Sequence, residues 1–151
     1  MEDSSLASTR FTRHVAIVGG GAWGLALAAA AARAGSHVVV QTRRELRDIA
    51  PLLPPGVDVV RDAAASAKHA RLLVLAVPSS MCRTVCRDLG EHLDGRHYVV
   101  HGVRGLEGDD LRTVADVVRE ETPVRRTGAL GGPALAQDLV DGKPSVIVVG
   151  S

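Results

Sequence analysis

Three glycines, spaced Gly19-x-Gly21-x-x-Gly24 within the stretch VAIVGGGAWGLALA (residues 15–28), are the residues of this chain best placed for chemistry. Glycine weakens helices and strands alike, so this density beside an apolar run needs a reason. At this spacing each glycine has its own task. Gly19 turns the chain sharply out of a strand, Gly21 leaves room for a diphosphate to touch bare main chain, and Gly24 lets the next helix pack close to the strand. The helix start then offers unpaired N–H groups and a positive dipole end to phosphate oxygens. The competing reading is a tight turn without a ligand; a strand before it and a helix after it favour the ligand.

A dinucleotide reader needs a second group, where the second strand ends. An acid there holds the ribose of NAD, whereas arginine accommodates the 2′-phosphate of NADP. This chain reads Gln41-Thr42-Arg43-Arg44, and its first acid, Glu45, comes late. The donor forks of Arg43 and Arg44 suit a phosphate, which favours NADP, with NAD as the alternative and a solvated loop as the bland reading. His101, after the fifth strand, is either a proton donor to a bound carbonyl or simply a hydrogen-bonded strand-end histidine; the second is favoured. Cys82 and Cys86, four apart on one helix face, read as buried or half-buried thiols, because a helix presents two Sγ atoms poorly for a disulfide. The other histidines lack metal-ligand spacing, so no metal site is expected. Asp109 and Asp110 read as the acidic start of a helix after Gly108.

The elements that position these residues alternate. Strands are expected at His14–Val18, His37–Gln41, Val57–Val60, Arg71–Val77, His97–Val100, Val124–Leu130 and Ser145–Val149. Helices are expected at Ala22–Ala34, stopped by Gly35; at Arg44–Ala50; after the N-cap Asp62; from Pro78 to about Leu89; at Leu111–Glu120; and from Gly132-Pro133 to Val140. This order implies right-handed crossovers, and hence an α/β fold with an open, doubly wound, mostly parallel sheet and helices on both faces.

Composition narrows the partners. The chain has 151 residues, 46% of them hydrophobic, which is enough for one domain with a core. Aromatic content is 2%, so the core is aliphatic and no base-stacking platform is expected. Net charge is +1 without a basic run, which disfavours nucleic acid and anionic membranes. No apolar stretch is long enough to span a bilayer, and the N-terminus lacks a signal core, so a cytoplasmic protein is expected. Residues 1–12 read as a mobile tail. There are sixteen arginines but only two lysines, Lys68 and Lys143, so lysine chemistry has few candidates.

Four stretches in order, VAIVGGGAWGLALA, LLVLAVPSS, VVHGVRGLE and GALGGPALAQDLVDGKPSVIVV, resemble the NAD(P)-dependent glycerol-3-phosphate dehydrogenases, from about Val15 to the last residue. The resemblance implies a Rossmann-type domain, NADP or NAD as cofactor, and hydride transfer between the nicotinamide and C2 of dihydroxyacetone phosphate or sn-glycerol 3-phosphate. It implies cofactor contacts at Gly19, Gly21, Ala22, Trp23, Gly24, Arg43, Arg44, Pro78, Arg104 and Ala136, and substrate contacts at Arg104, Gly132 and Ala134. Arg104 stands where the family has lysine; arginine keeps the charge but cannot exchange a proton near neutral pH. Ala134 stands where the family usually has serine or another polar residue, and Leu25 where it often has threonine.

The chain is expected to correspond to the family's first domain only, as residues 13–151. The helical substrate domain and its proton-acceptor lysine are then missing, and no catalytic residue lies in this chain; neither lysine sits at a motif position. Three readings follow: the cofactor-binding part of such an enzyme, completed by a second domain; a stand-alone NAD(P)-binding module acting as sensor or partner subunit; or a degenerate fragment. The face around residues 102–106 and 131–135 is expected to be apolar and to meet a homodimer mate or another chain.

Overall fold

Strand β1 (His14–Val18) sends Val15 and Ile17 to one face of a sheet and Ala16 and Val18 to the other, and all four are buried. The computed structural model describes residues 13–151; the expected tail, residues 1–12, lies outside the described residues. After β1 come α1 (Ala22–Arg33), β2 (His37–Gln41), α2 (Leu46–Ile49), β3 (Val57–Val60), α3 (Ala63–His69) and β4 (Leu72–Leu75). Then follow α4 (Ser79–Gly90), β5 (Tyr98–His101), α5 (Val114–Glu121), β6 (Arg126–Gly131), α6 (Ala136–Val140) and β7 (Val148–Gly150). The sheet order is β3-β2-β1-β4-β5-β6-β7, with the first six strands parallel. Helices cover both faces, as a doubly wound sheet requires. One core layer joins α1 and α6 to the sheet through Leu25, Leu27 and Leu139; the other joins α3, α4 and α5 through Cys82, Leu89 and Val117.

Local chemistry sets most boundaries. Gly35, at φ 84°, ends α1: its N–H bonds to the Ala32 carbonyl and that of Ser36 to the Ala31 carbonyl, which satisfies two carbonyls at the helix end. Asp62 caps α3 by accepting from the Ala65 N–H at 2.7 Å.

Three expectations are corrected. The helix near residue 114 does not begin at Leu111. Glu107 and Arg112 exchange backbone hydrogen bonds of 2.9 Å, closing a small turn that contains Asp109 and Asp110, and Leu111 is exposed at φ 52°. Thr113 is the true cap, accepting from the Asp116 N–H at 3.2 Å. The last helix starts at Ala136, not at Gly132-Pro133: Gly132 sits at φ 128° and Leu135, at φ −98° and ψ 141°, is still extended. The helix expected at Arg44–Ala50 is a single turn, α2, followed by a 3-10 turn at Ala50–Leu52. Strand β7 runs antiparallel to β6. A helix of five residues advances only about 7–8 Å, too little to carry the chain back along β6 for a parallel return.

Candidate functional site

The chain leaves β1 and β4 for opposite faces of the sheet, α1 to one and α4 to the other, and their carboxyl ends bound a crevice. The glycine turn forms its floor. Gly19 lies at φ 125°, and a Cβ there would stand 2.3 Å from the Ala76 carbonyl oxygen. A Cβ on Gly24 would stand 2.0 Å from the Gly19 carbonyl oxygen, so α1 rests directly on the turn. A Cβ on Gly21 would meet nothing within 4 Å. Gly19 and Gly24 are thus used up by packing, whereas Gly21 faces open space. Gly21 is also the N-cap of α1; it supplies no side-chain cap, and the first turn carries no acid. The N–H groups there are left for something else to satisfy.

Two cavities meet over this turn and share Gly21, Ala76, Val77 and Pro78. The first, about 610 Å³, runs past Gly19 to Gln41, Thr42, Arg43, Arg44 and Arg61, with Met81 of α4 opposite. The second, about 540 Å³, runs past Ala22, Trp23, Ser79 and Arg104 to Gly132, Ala134 and Ala136. Every residue to which the resemblance gave a cofactor or substrate contact lines one cavity or the other except Gly24, which packs beneath Gly19. Sequence reasoning missed Arg61, Met81 and Ser79. It also missed why residue 102 is glycine: a Cβ there would fall 2.5 Å from Trp23 Nε1, so the indole lies against bare backbone.

The first cavity ends in guanidinium groups. Arg44 Nη1 donates to the Gly20 carbonyl at 2.9 Å, Arg61 Nη1 donates to the Thr42 carbonyl at 3.1 Å and also to the Arg44 carbonyl, and Arg43 Nη2 lies 3.4 Å from Met81 Sδ. Gln41, at the strand end, has its Oε1 taken by the Ser66 hydroxyl at 2.8 Å. Among the described residues none of these three arginines pairs with a carboxylate.

The second cavity is walled by small residues, with Arg104 exposed at its rim. The loop carrying Arg104 is anchored from behind. Arg83 of α4 donates from Nε to both carboxylate oxygens of Glu107, at 3.1 and 3.2 Å, and from Nη1 to Glu120 at 3.0 Å and Glu121 at 2.6 Å. Arg87 adds bonds of 3.0 and 3.1 Å to Glu121. The Arg87 and Arg83 guanidinium groups hold the Glu121 carboxyl below its ordinary 4.5. A depressed carboxyl stabilises the fold fully above its unfolded value and loses that contribution as pH falls through the native one. Acid melting of Glu121→Gln is therefore expected to show a shallower fall in Tm below pH 4.5 than the parent; identical slopes would remove this pair from the account.

His101 lines neither cavity, and its Nδ1 is buried without a partner. Burial lowers its basicity, partly offset by a bond to the Val103 backbone. It is not placed to serve a bound carbonyl. Cys82 and Cys86 are free, fully buried and 3.9 Å apart at sulfur; the bond from Cys82, then burial, push the Cys86 thiol far up. Among the described residues no helix is long and apolar enough to cross a membrane.

Residues 14–151 match the family model described as NAD-dependent glycerol-3-phosphate dehydrogenase N-terminus. A glycerol-3-phosphate dehydrogenase (NAD(P)+) of Clostridium acetobutylicum is 32% identical over 150 residues, covering 91% of this chain and 45% of its own length. That of Rhodopseudomonas palustris strain TIE-1 is 33% identical over 147 residues, covering 89% and 44%. The chain thus spans a little under half the length of these curated relatives. Among solved structures, glycerol-3-phosphate dehydrogenase from Coxiella burnetii superimposes with a TM-score of 0.81 at 24% identity, over 91% of this chain and 46% of that one. The yeast enzyme does so at 0.79 and 20%, over 91% and 47%. These likenesses establish a Rossmann-type dehydrogenase fold.

Proposed function

Because this chain belongs to the NAD-dependent glycerol-3-phosphate dehydrogenase family, through its N-terminal domain, we propose that it binds NADP(H), or NAD(H), across the glycine turn. The observation that carries this reading is the pair of cavities joined over Gly21, with uncapped N–H groups at their junction. The turn fits a diphosphate because the one glycine whose Cβ position is open is the one facing the crevice. Gly19, Gly21 and the N–H groups of Ala22, Trp23 and Gly24 hold the diphosphate; Arg43 and Arg44 hold the adenosine end. Trp23, Pro78, Arg104 and Ala136 border the nicotinamide end. When bound, the nicotinamide supplies the hydride donor or acceptor. Arg104 provides fixed positive charge beside it and Gly132 lines the same cavity, where dihydroxyacetone phosphate or sn-glycerol 3-phosphate is the proposed substrate.

The proton for the substrate oxygen has no donor among the residues around the second cavity. Ala134 is apolar and offers no proton, so in this reading full turnover draws on a further helical domain. The proposed meeting face is that around residues 102–106 and 131–135, where Leu106 and Leu135 are exposed. Residues 13–151 form the dinucleotide domain in this reading, and two free thiols suit the cytoplasm. The second reading, a stand-alone NAD(P)-binding module, is favoured by Arg104 and Ala134, both on the substrate side.

Titration with NADPH and NADH separates these. Saturable binding of either is expected on both readings; oxidation on adding dihydroxyacetone phosphate together with a helical partner domain supports the enzyme, binding that no such domain converts into oxidation supports the module, and no binding of either overturns both. Sedimentation of the same samples tests the meeting face, which predicts self-association or capture of a helical partner domain at high concentration; a monomer that takes neither partner contradicts it.

A further inference from the structure

We propose that Arg61, from the end of the third strand, is a specificity-determining residue that makes the adenosine end of the cleft select a 2′-phosphorylated ribose, and hence NADP(H) over NAD(H). This rests on the dinucleotide reading of the cleft and narrows its cofactor.

The sheet register places it. Val60 pairs with Gln41, so the next residue, Arg61, stands beside Thr42 at the edge where a ribose is read. Its Nη1 bonds to the carbonyls of Thr42 and Arg44, which fixes the guanidinium and the arginine loop together. That leaves its Nε and Nη2 without a bond among the described residues. Arg44 is tied to the Gly20 carbonyl on one side and Arg43 lies against Met81 on the other. Three guanidinium groups thus converge on one cavity of about 610 Å³.

Charge decides what they take. The acid lining this cavity is Asp88 on α4. The Asp62 carboxylate is engaged by the Ala65 N–H, and Glu45 follows Arg44 without lining the cavity. Three cations against one carboxylate leave an excess of two positive charges, which matches a phosphate monoester near neutral pH. The diol of an unphosphorylated ribose wants a carboxylate at the strand end, and this chain offers Gln41, whose Oε1 is already committed to Ser66. A planar fork already fixed by backbone carbonyls loses little freedom on gripping the phosphate.

The experiment compares NADPH with NADH, and 2′,5′-ADP with 5′-AMP, on the parent chain and on Arg61→Gln and Arg61→Lys. The parent should prefer the 2′-phosphorylated member of each pair. Arg61→Gln should weaken NADPH and 2′,5′-ADP about tenfold or more, as for the loss of one charge-assisted bond, and leave NADH and 5′-AMP within about twofold. Arg61→Lys, which keeps the charge but not the fork, should fall between. Equal weakening within each pair would mean that Arg61 only props the loop, and overturns the proposal. So would a parent that binds NADH as well as NADPH, while leaving the dinucleotide reading intact. A parent that binds none of the four ligands removes that reading itself. Should Arg61→Gln melt at a much lower temperature than the parent, the Arg61→Lys comparison decides alone: unchanged discrimination overturns the proposal and reduced discrimination upholds it.

Discussion

Gly21→Asp is expected to fold at least as well as the parent and to lose NADPH binding by about a hundredfold or more, equivalent to about 2.8 kcal/mol. Its Cβ meets nothing within 4 Å, and residue 21 has φ −79° and ψ 177°, an extended conformation open to any residue. It is also the N-cap of α1, where aspartate outranks glycine. The new carboxylate would accept the N–H groups at the helix start and complement the helix dipole, so thermal stability should hold or rise slightly. The same carboxylate then occupies the place of the diphosphate and repels it. Calorimetric titration alongside thermal melting checks both halves. A variant that melts like the parent and still binds NADPH with parental affinity would show that the dinucleotide does not use this turn.

Gly24→Ala should give the opposite pattern. One added methyl would stand 2.0 Å from the Gly19 carbonyl oxygen, which is backbone and cannot swing aside like a side chain. Either α1 lifts from the sheet or the turn deforms. Overpacking of this kind costs about 1–3 kcal/mol, and a backbone obstacle puts it at the upper end. For a chain of this size the expected fall in Tm is on the order of 5–10 °C. Thermal melting measures it; a Tm within a degree of the parent would mean that α1 does not rest on the turn. The two substitutions, three residues apart in one motif, separate what the glycines do for the fold from what one of them does for a ligand.

The glycine turn was legible because its meaning is local: a buried strand, three glycines at fixed spacing and a helix all lie within twenty residues. The alternation of strands and helices was legible for the same reason, since burial on both faces leaves continuous apolar runs such as Leu72–Leu75. What escaped depends on pairing across the chain. Arg61 joins Arg43 and Arg44 only because β3 lies parallel to β2 with Val60 beside Gln41. Arg83 meets Glu107, Glu120 and Glu121 across separations of 24 to 38 residues, which no window reveals. The start of α5 was misplaced because Asp109 and Asp110 carry the same helix-start signal that Thr113 delivers through its hydroxyl. The direction of β7 turned on the length of α6, and boundaries of short helices are poorly marked in sequence.

Site residues divide along the same line. The one proposed to meet a ligand through open backbone, Gly21, and those that packing and positive φ require, Gly19 and Gly132, announce themselves by residue type. Those that act through charge do not, because with sixteen arginines in the chain no single one stands out until its neighbours are known.

The most direct measurement is a crystal structure of this chain grown with NADP+. The account predicts the diphosphate within hydrogen-bonding distance of the N–H groups at residues 22–24, with the 2′-phosphate among Arg43, Arg44 and Arg61 and the nicotinamide toward Trp23. A dinucleotide bound elsewhere on the molecule, with side chains or water alone filling the turn at Gly21, would contradict it.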